Sequence, residues 1–90
     1  MESVPAGVDL DELRKDLLAI AGTRELHDLH VWCLTSHQFA LSAHAVVAKD
    51  VDQDRVLSDI SVLLERKFKI RHMTVQLERD NRREHEPEHF

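Results

Sequence analysis

The stretch from His27 to Ala48, HDLHVWCLTSHQFALSAHAVVA, constrains the fold of this chain more than any other. Apolar and polar side chains alternate on both sides of a polar cluster at Thr35 to Gln38, the pattern of two strands joined by a tight turn. A hairpin makes neighbours of residues far apart in sequence, so it decides where the histidines meet. With Leu34 and Phe39 flanking a four-residue loop, strict alternation puts Asp28, His30, Trp32 and Leu34 on one face with Phe39, Leu41, Ala43, Ala45 and Val47. The other face carries His27, Leu29, Val31 and Cys33 beside Ala40, Ser42, His44 and Val46. The bulky groups predict the first face as the core, with Trp32 in the core or a dimer interface and His30 packed and hydrogen-bonded. Cys33 reads as a small buried hydrophobe. His27 and His44 come together near one end.

The flanking segments supply what covers and extends the hairpin. Asp9 reads as a helix N-cap with Glu12 completing a capping box. Leu10, Leu13, Leu17, Ile20 and Ala21 form an apolar stripe, and Gly22 provides a left-handed stop. Asp52 predicts the cap of a second helix, whose Val56, Ile60, Leu63, Leu64 and Phe68 repeat at helical spacing. Arg66, Lys67 and Lys69 lie at its C-terminal end, where the helix dipole favours cations. A last strand, Ile70 to Glu78, puts Met73, Val75 and Leu77 on one side and His72, Thr74, Gln76 and Glu78 on the other. Residues 1–8 read as an extended lead-in and 9–78 as the folded domain. Residues 79–90 read as a charged disordered tail, in which His85, Glu86, Glu88 and His89 could catch a metal loosely.

This element order predicts an α+β fold, a ferredoxin-like αββαβ two-layer sandwich with a three-stranded mixed sheet and both helices on one face. A right-handed crossover through the second helix makes the third strand parallel to the second. The start of the first strand and the ends of the other two then share one rim, which gathers His27, His44 and Glu78.

Ninety residues bound the chain to a single domain of modest core, a size at which a partner surface adds materially to stability. A net charge of -5, with twelve basic residues scattered among seventeen acidic ones, argues against a nucleic-acid binder and favours cations as ligands. Seven histidines point the same way, since neutral imidazole is the commonest transition-metal ligand. The single cysteine, Cys33, cannot form an internal disulfide, which fits a reducing compartment. No apolar run approaches the roughly 18 residues of a membrane span and the first residues lack a signal-peptide layout, so the fragment itself is expected to be soluble. No nucleophile and base pair or catalytic dyad is visible, and two glycines rule out a phosphate-cradling loop, so an enzyme is not expected.

The blocks HDLHVWCLTS, LSAHAVV and IRHMTVQLE, in this order and separation, resemble the C-terminal cytosolic domain of cation diffusion facilitator transporters. The likeness is to the cobalt-zinc-cadmium efflux branch and the animal zinc transporters. The opening MESVPAGVDL is similar to the segment that follows the last membrane helix in that family. The resemblance implies the cytosolic dimerising and metal-sensing part of a membrane-embedded, proton-coupled exporter of divalent cations, on the cytoplasmic side of the cell membrane. Its partners would be a second copy, the transmembrane domain of the same transporter and the metal ions. By motif, the family's cytosolic ligands fall on His27, His44, His72 and Glu78. Some relatives have histidine in place of Gln76, and His37 stands where many have glycine, as an added ligand or a turn residue. Imidazoles with a carboxylate suit Zn2+, Cd2+ or Co2+ better than Mg2+. Asp28 could orient an imidazole through its free N–H. Six residues of strand, roughly 20 Å, separate His72 from Glu78, so either the strand bends or His72 serves a second site, for instance across a dimer interface. The rival expectation is a constitutive dimerisation domain without physiological metal binding. A free-standing metal carrier is disfavoured by the lack of paired cysteines.

Overall fold

Residues 7–80 are described by a computed structural model; the tail histidines and most of the lead-in lie outside the described residues. The element order is α1 (Leu10–Leu18), β1 (Thr23–Thr35), β2 (Gln38–Val47), α2 (Gln53–Phe68) and β3 (Ile70–Arg79). The strands lie in the order β1-β2-β3. β1 pairs antiparallel with β2, and β3 parallel with it, as the helical crossover requires. This is the expected αββαβ sandwich.

Capping sets the helix starts. The Asp9 carboxylate accepts the Glu12 backbone N–H at 3.1 Å, and that of Asp52 accepts from Asp54 and Arg55. The Glu12 side chain does not close a capping box. It reaches Lys67 Nζ at 3.0 Å, beside Asp16 at 2.7 Å, and ties α1 to the last turn of α2. These contacts, the Asp16 one foremost, raise the Lys67 ammonium above its usual 10.5. α1 stops at Leu18, before Gly22, whose φ of 94° serves the turn into β1 instead. A Cβ at Gly22 would lie 2.8 Å from Val51 Cγ1, so any side chain there collides as well as strains the backbone.

Leu13 and Leu17 of α1 and Val56, Ile60, Leu64 and Phe68 of α2 pack with Leu29, Val31, Leu41, Ala43, Val47 and Ile70 of the sheet into one core. Both helices therefore cover the same face of the sheet. Every side chain in this set is apolar, so area removed from water is what holds the layers together, at about 1.5–3 kcal/mol for each fully buried Leu, Ile or Val.

The two faces of β1 differ from strict alternation. Leu29 and Val31 are buried in the core, at 8 % and 2 % exposure, while Trp32 is half-buried and His30 exposed. Trp32 pairs with Ala40 and His30 with Ser42, on the face that the helices leave open. Leu34 and Cys33 are exposed near the hairpin end. The cause is a β-bulge: His27 pairs with His44 and His30 with Ser42, so β1 spends one residue more than β2 across that interval. Asp28 absorbs it in the left-handed region at φ 55°, which Asp tolerates better than most residues. A second irregularity between Cys33 and Thr35 tightens the turn to Ser36 and His37.

The bulge makes a sharp prediction. Deleting Asp28 leaves His27, Leu29 and His30 opposite His44, Ala43 and Ser42 as a regular ladder, so stability should change by no more than about 1 kcal/mol. Asp28→Val, which forces a β-branched residue to positive φ, should cost about 1–2 kcal/mol. Deleting Val31 should cost far more, because it reverses the faces of the strand residues after it. Denaturant melts of the three variants test this, and equal losses for the two deletions would remove the bulge as the cause.

Candidate functional site

β3 runs down one edge of the open face and β1 down the other, so side chains from three strands meet there across β2. His27 of β1 lies directly opposite His44 of β2, and their ring centroids are 6.0 Å apart at an interplanar angle of 62°. His44 Nε2 is 2.8 Å from Glu78 Oε1 of β3, while His27 Nε2 is 2.9 Å from Glu25 Oε1 on its own strand. Gln76 is the register neighbour of His44 on β3. Three of the four sequence-predicted residues, His27, His44 and Glu78, thus share one corner of the sheet. His44 is the most sheltered at 29 % exposure, against 51 % for His27 and 57 % for Glu78.

His72 is elsewhere. It pairs with Ala40, whereas Glu78 pairs with Val46, so they stand at opposite ends of β3. β3 has its one register shift before His72, leaving the interval to Glu78 regular, and the strand does not bend to join them. His72 instead lines a cavity with His37, Gln38, Phe39, Lys69 and Arg71. His30 shares the open face with His27, and Asp28, in the bulge between them, is exposed.

Glu25 belongs to the corner, and the alternation pattern missed it because that reading began the strand at His27. Extending the strand back to Thr23 puts Glu25 and His27 two apart on one face, which would have found it. At the other limit of the domain, β3 continues to Arg79, whose guanidinium donates to the Lys49 and Val51 carbonyls. The Asp80 N–H donates to the Val47 carbonyl, so the ordered backbone runs beyond Glu78.

The donor set fits a borderline divalent cation in chemistry, and the two rings stand near enough for one ion, although each turns its Nε2 to a different carboxylate. Two imidazoles on one tetrahedral ion have ring centroids roughly 5–6 Å apart when the metal–nitrogen bonds are about 2.0–2.1 Å, close to the observed 6.0 Å. Ligand atoms on such an ion sit about 3.4 Å from each other, so the His44–Glu78 pair at 2.8 Å would open slightly to admit one. Among the described residues, however, no three His, Cys, Asp or Glu side chains converge on one point. The protomer offers two imidazole–carboxylate pairs side by side. Also among the described residues, no helix is long and apolar enough to cross a membrane.

The family model of the cation efflux protein cytoplasmic domain matches residues 5–80. The metal cation efflux system protein CzcD of Cupriavidus metallidurans is 42 % identical over 79 residues, which are 87 % of this chain and 25 % of that protein. The human proton-coupled zinc antiporter SLC30A2 is 41 % identical over 78 residues, 87 % of this chain and 21 % of that one. The chain thus spans a quarter or less of the length of these relatives. The solved metal-bound C-terminal domain of the CzcD transporter superposes with a TM-score of 0.75 at 42 % identity, over 79 % of this chain and 99 % of that one. A CzrB structure, at 19 % identity and a TM-score of 0.69 over 88 % of this chain and 100 % of that one, shares the fold.

Proposed function

Because the chain belongs to the cation efflux protein family, as its cytoplasmic domain, we propose that it dimerises and senses metal for a proton-coupled exporter of Zn2+, Co2+ or Cd2+. The observation that carries this reading is the corner of the open face that His27, His44 and Glu78 share, with His44 between the other two. His27, His44 and Glu78 would hold the ion, with Glu25 turned aside or recruited. The bound cation supplies positive charge that binds the imidazole and carboxylate pairs together across the three strands. His72, at the other end of β3, stands too far away to share that ion. The second copy packs on the face that the helices leave uncovered, around Trp32. Metal then biases the attached transporter only to the extent that it binds one dimer arrangement more tightly than another.

The second reading, a constitutive dimerisation domain, is favoured by the absence of a three-donor cluster among the described residues. Calorimetric titration of chelator-stripped protein with Zn2+ separates the two. For a sensor, the isotherm contains a specific binding event that weakens about a hundredfold or more in His44→Ala and in His27→Ala, since each removes a direct ligand. Sedimentation with and without Zn2+ then reports whether the dimer precedes the ion. An isotherm unchanged by both substitutions leaves the plain dimeriser.

A further inference from the structure

We propose that the cavity between the hairpin turn and the start of β3 is a binding site for a phosphate-bearing anion. The cavity, about 160 Å³, is lined by His37, Gln38, Phe39, Lys69, Arg71 and His72. Four of these six carry ammonium, guanidinium or imidazole heads and none is acidic, although acidic residues outnumber basic ones seventeen to twelve in the chain. The space admits a group of several heavy atoms, given that liquid water occupies about 30 Å³ per molecule.

The donors suit an oxyanion. Lys69 contributes a flexible ammonium and Arg71 a planar fork that matches phosphate oxygens in pairs. Arg71 meets Glu65 through Nε, at 3.6 Å, a contact that does not occupy the terminal nitrogens. His37 Nδ1 lies 3.2 Å from the Ser36 hydroxyl. That contact engages Nδ1 alone, and a proton on Nε2 makes the other ring nitrogen a donor.

The backbone at Lys69 supplies a clean variant. Lys69 closes α2 at φ 61°, ψ 31°, the left-handed conformation for which glycine is the unstrained choice. There its N–H donates to the Leu64 carbonyl and caps the helix, so Lys69→Gly removes the ammonium from the cavity wall while easing the backbone.

The cavity's position suggests where the anion comes from. Lys67 binds Glu12 and Asp16 near the end of α2, while Arg55 near its start donates to the Ala21 carbonyl beyond α1. The helices therefore run antiparallel, and the start of α1 lies at the same end of the domain as the cavity. If a membrane-embedded part precedes α1, as the proposed function holds, this end faces the bilayer and the phosphate of an anionic lipid headgroup; free phosphate has the same chemistry.

The test uses the full chain in excess chelator, so that its outcome is independent of metal binding. In the first arm, inorganic phosphate is titrated at constant ionic strength while amide NMR shifts are followed. Saturable changes at positions 37–39 and 69–72, weakened about tenfold or more by Arg71→Gln and by Lys69→Gly, support the site. Lys69→Gly should also keep or raise the melting temperature, because it relieves the left-handed strain while removing a ligand. In the second arm, co-sedimentation with phosphatidylglycerol vesicles but not phosphatidylcholine vesicles, again lost in Lys69→Gly, assigns the lipid source. Phosphate binding without vesicle binding supports the site and removes its membrane-facing role. Failure of both arms, or wild-type binding by both variants, overturns the proposal while leaving the metal reading intact.

Discussion

Trp32→Glu is expected to leave the chain monomeric at concentrations where the proposed dimer forms in the parent sequence. Trp32 is half-buried within its own protomer, pairs with the small Ala40, and stands on the face that neither helix covers. A large ring there offers its remaining surface to a partner, and such anchors cost about 2–4 kcal/mol when lost from an interface. A buried, unpaired carboxylate adds several kcal/mol of desolvation. Together these weaken association by about a thousandfold or more. The monomer should stay folded, because Trp32 lies outside the core shared by the helices and the sheet. Sedimentation velocity with far-UV circular dichroism on the same samples is the check, and a dimer that survives in a folded variant would place the interface on another surface.

Leu41→Ala is expected to remove most of the domain's stability. Leu41 is 1 % exposed and lies in the central strand, paired with Val31 on one side and Met73 on the other. Truncation of such a leucine costs about 2–5 kcal/mol, and the cost grows with the void left behind. Leu41 already borders a void of about 10 Å³ shared with Leu17, Thr23, Ala43 and Ile60, so truncation would enlarge an existing gap. A domain this small has on the order of 5 kcal/mol in total. The urea midpoint should therefore fall by half or more. The measurement belongs in the Trp32→Glu background, because dimerisation would otherwise add a concentration-dependent term. A loss below about 1 kcal/mol would mean that the core closes around the missing methyls.

The histidine corner and the faces of the hairpin differed in how far they could be read in advance. That His27 and His44 would meet followed from the hairpin alone, and Glu78 joined them because a helical crossover makes the last strand parallel to the second. The faces between His30 and Cys33 could not be read that way. Alternation assumes a period of two at every residue, and the bulge at Asp28 together with the second irregularity between Cys33 and Thr35 puts the residues between them out of phase with both ends of β1. Trp32 therefore stands on the open face, and Leu29 and Val31 took the core positions. The cavity beside His72 was equally hidden, because its walls come from a turn and a helix terminus thirty residues away, whose approach depends on the tilt of packed elements.

By itself the sequence determined the elements, their order, both helix caps and the parallel third strand. These rest on local capping chemistry, short-range periodicity and the geometry of crossovers, all of which act within a few residues or one connection. Only the tertiary structure decided which face of β1 met the helices and how the four predicted ligands divided between two ends of the sheet. It also decided that Glu25 stands beside His27. The energy of burying Leu29 and Val31 against α1 and α2 selects the bulged register over the regular one, and that choice exists only once the layers have packed.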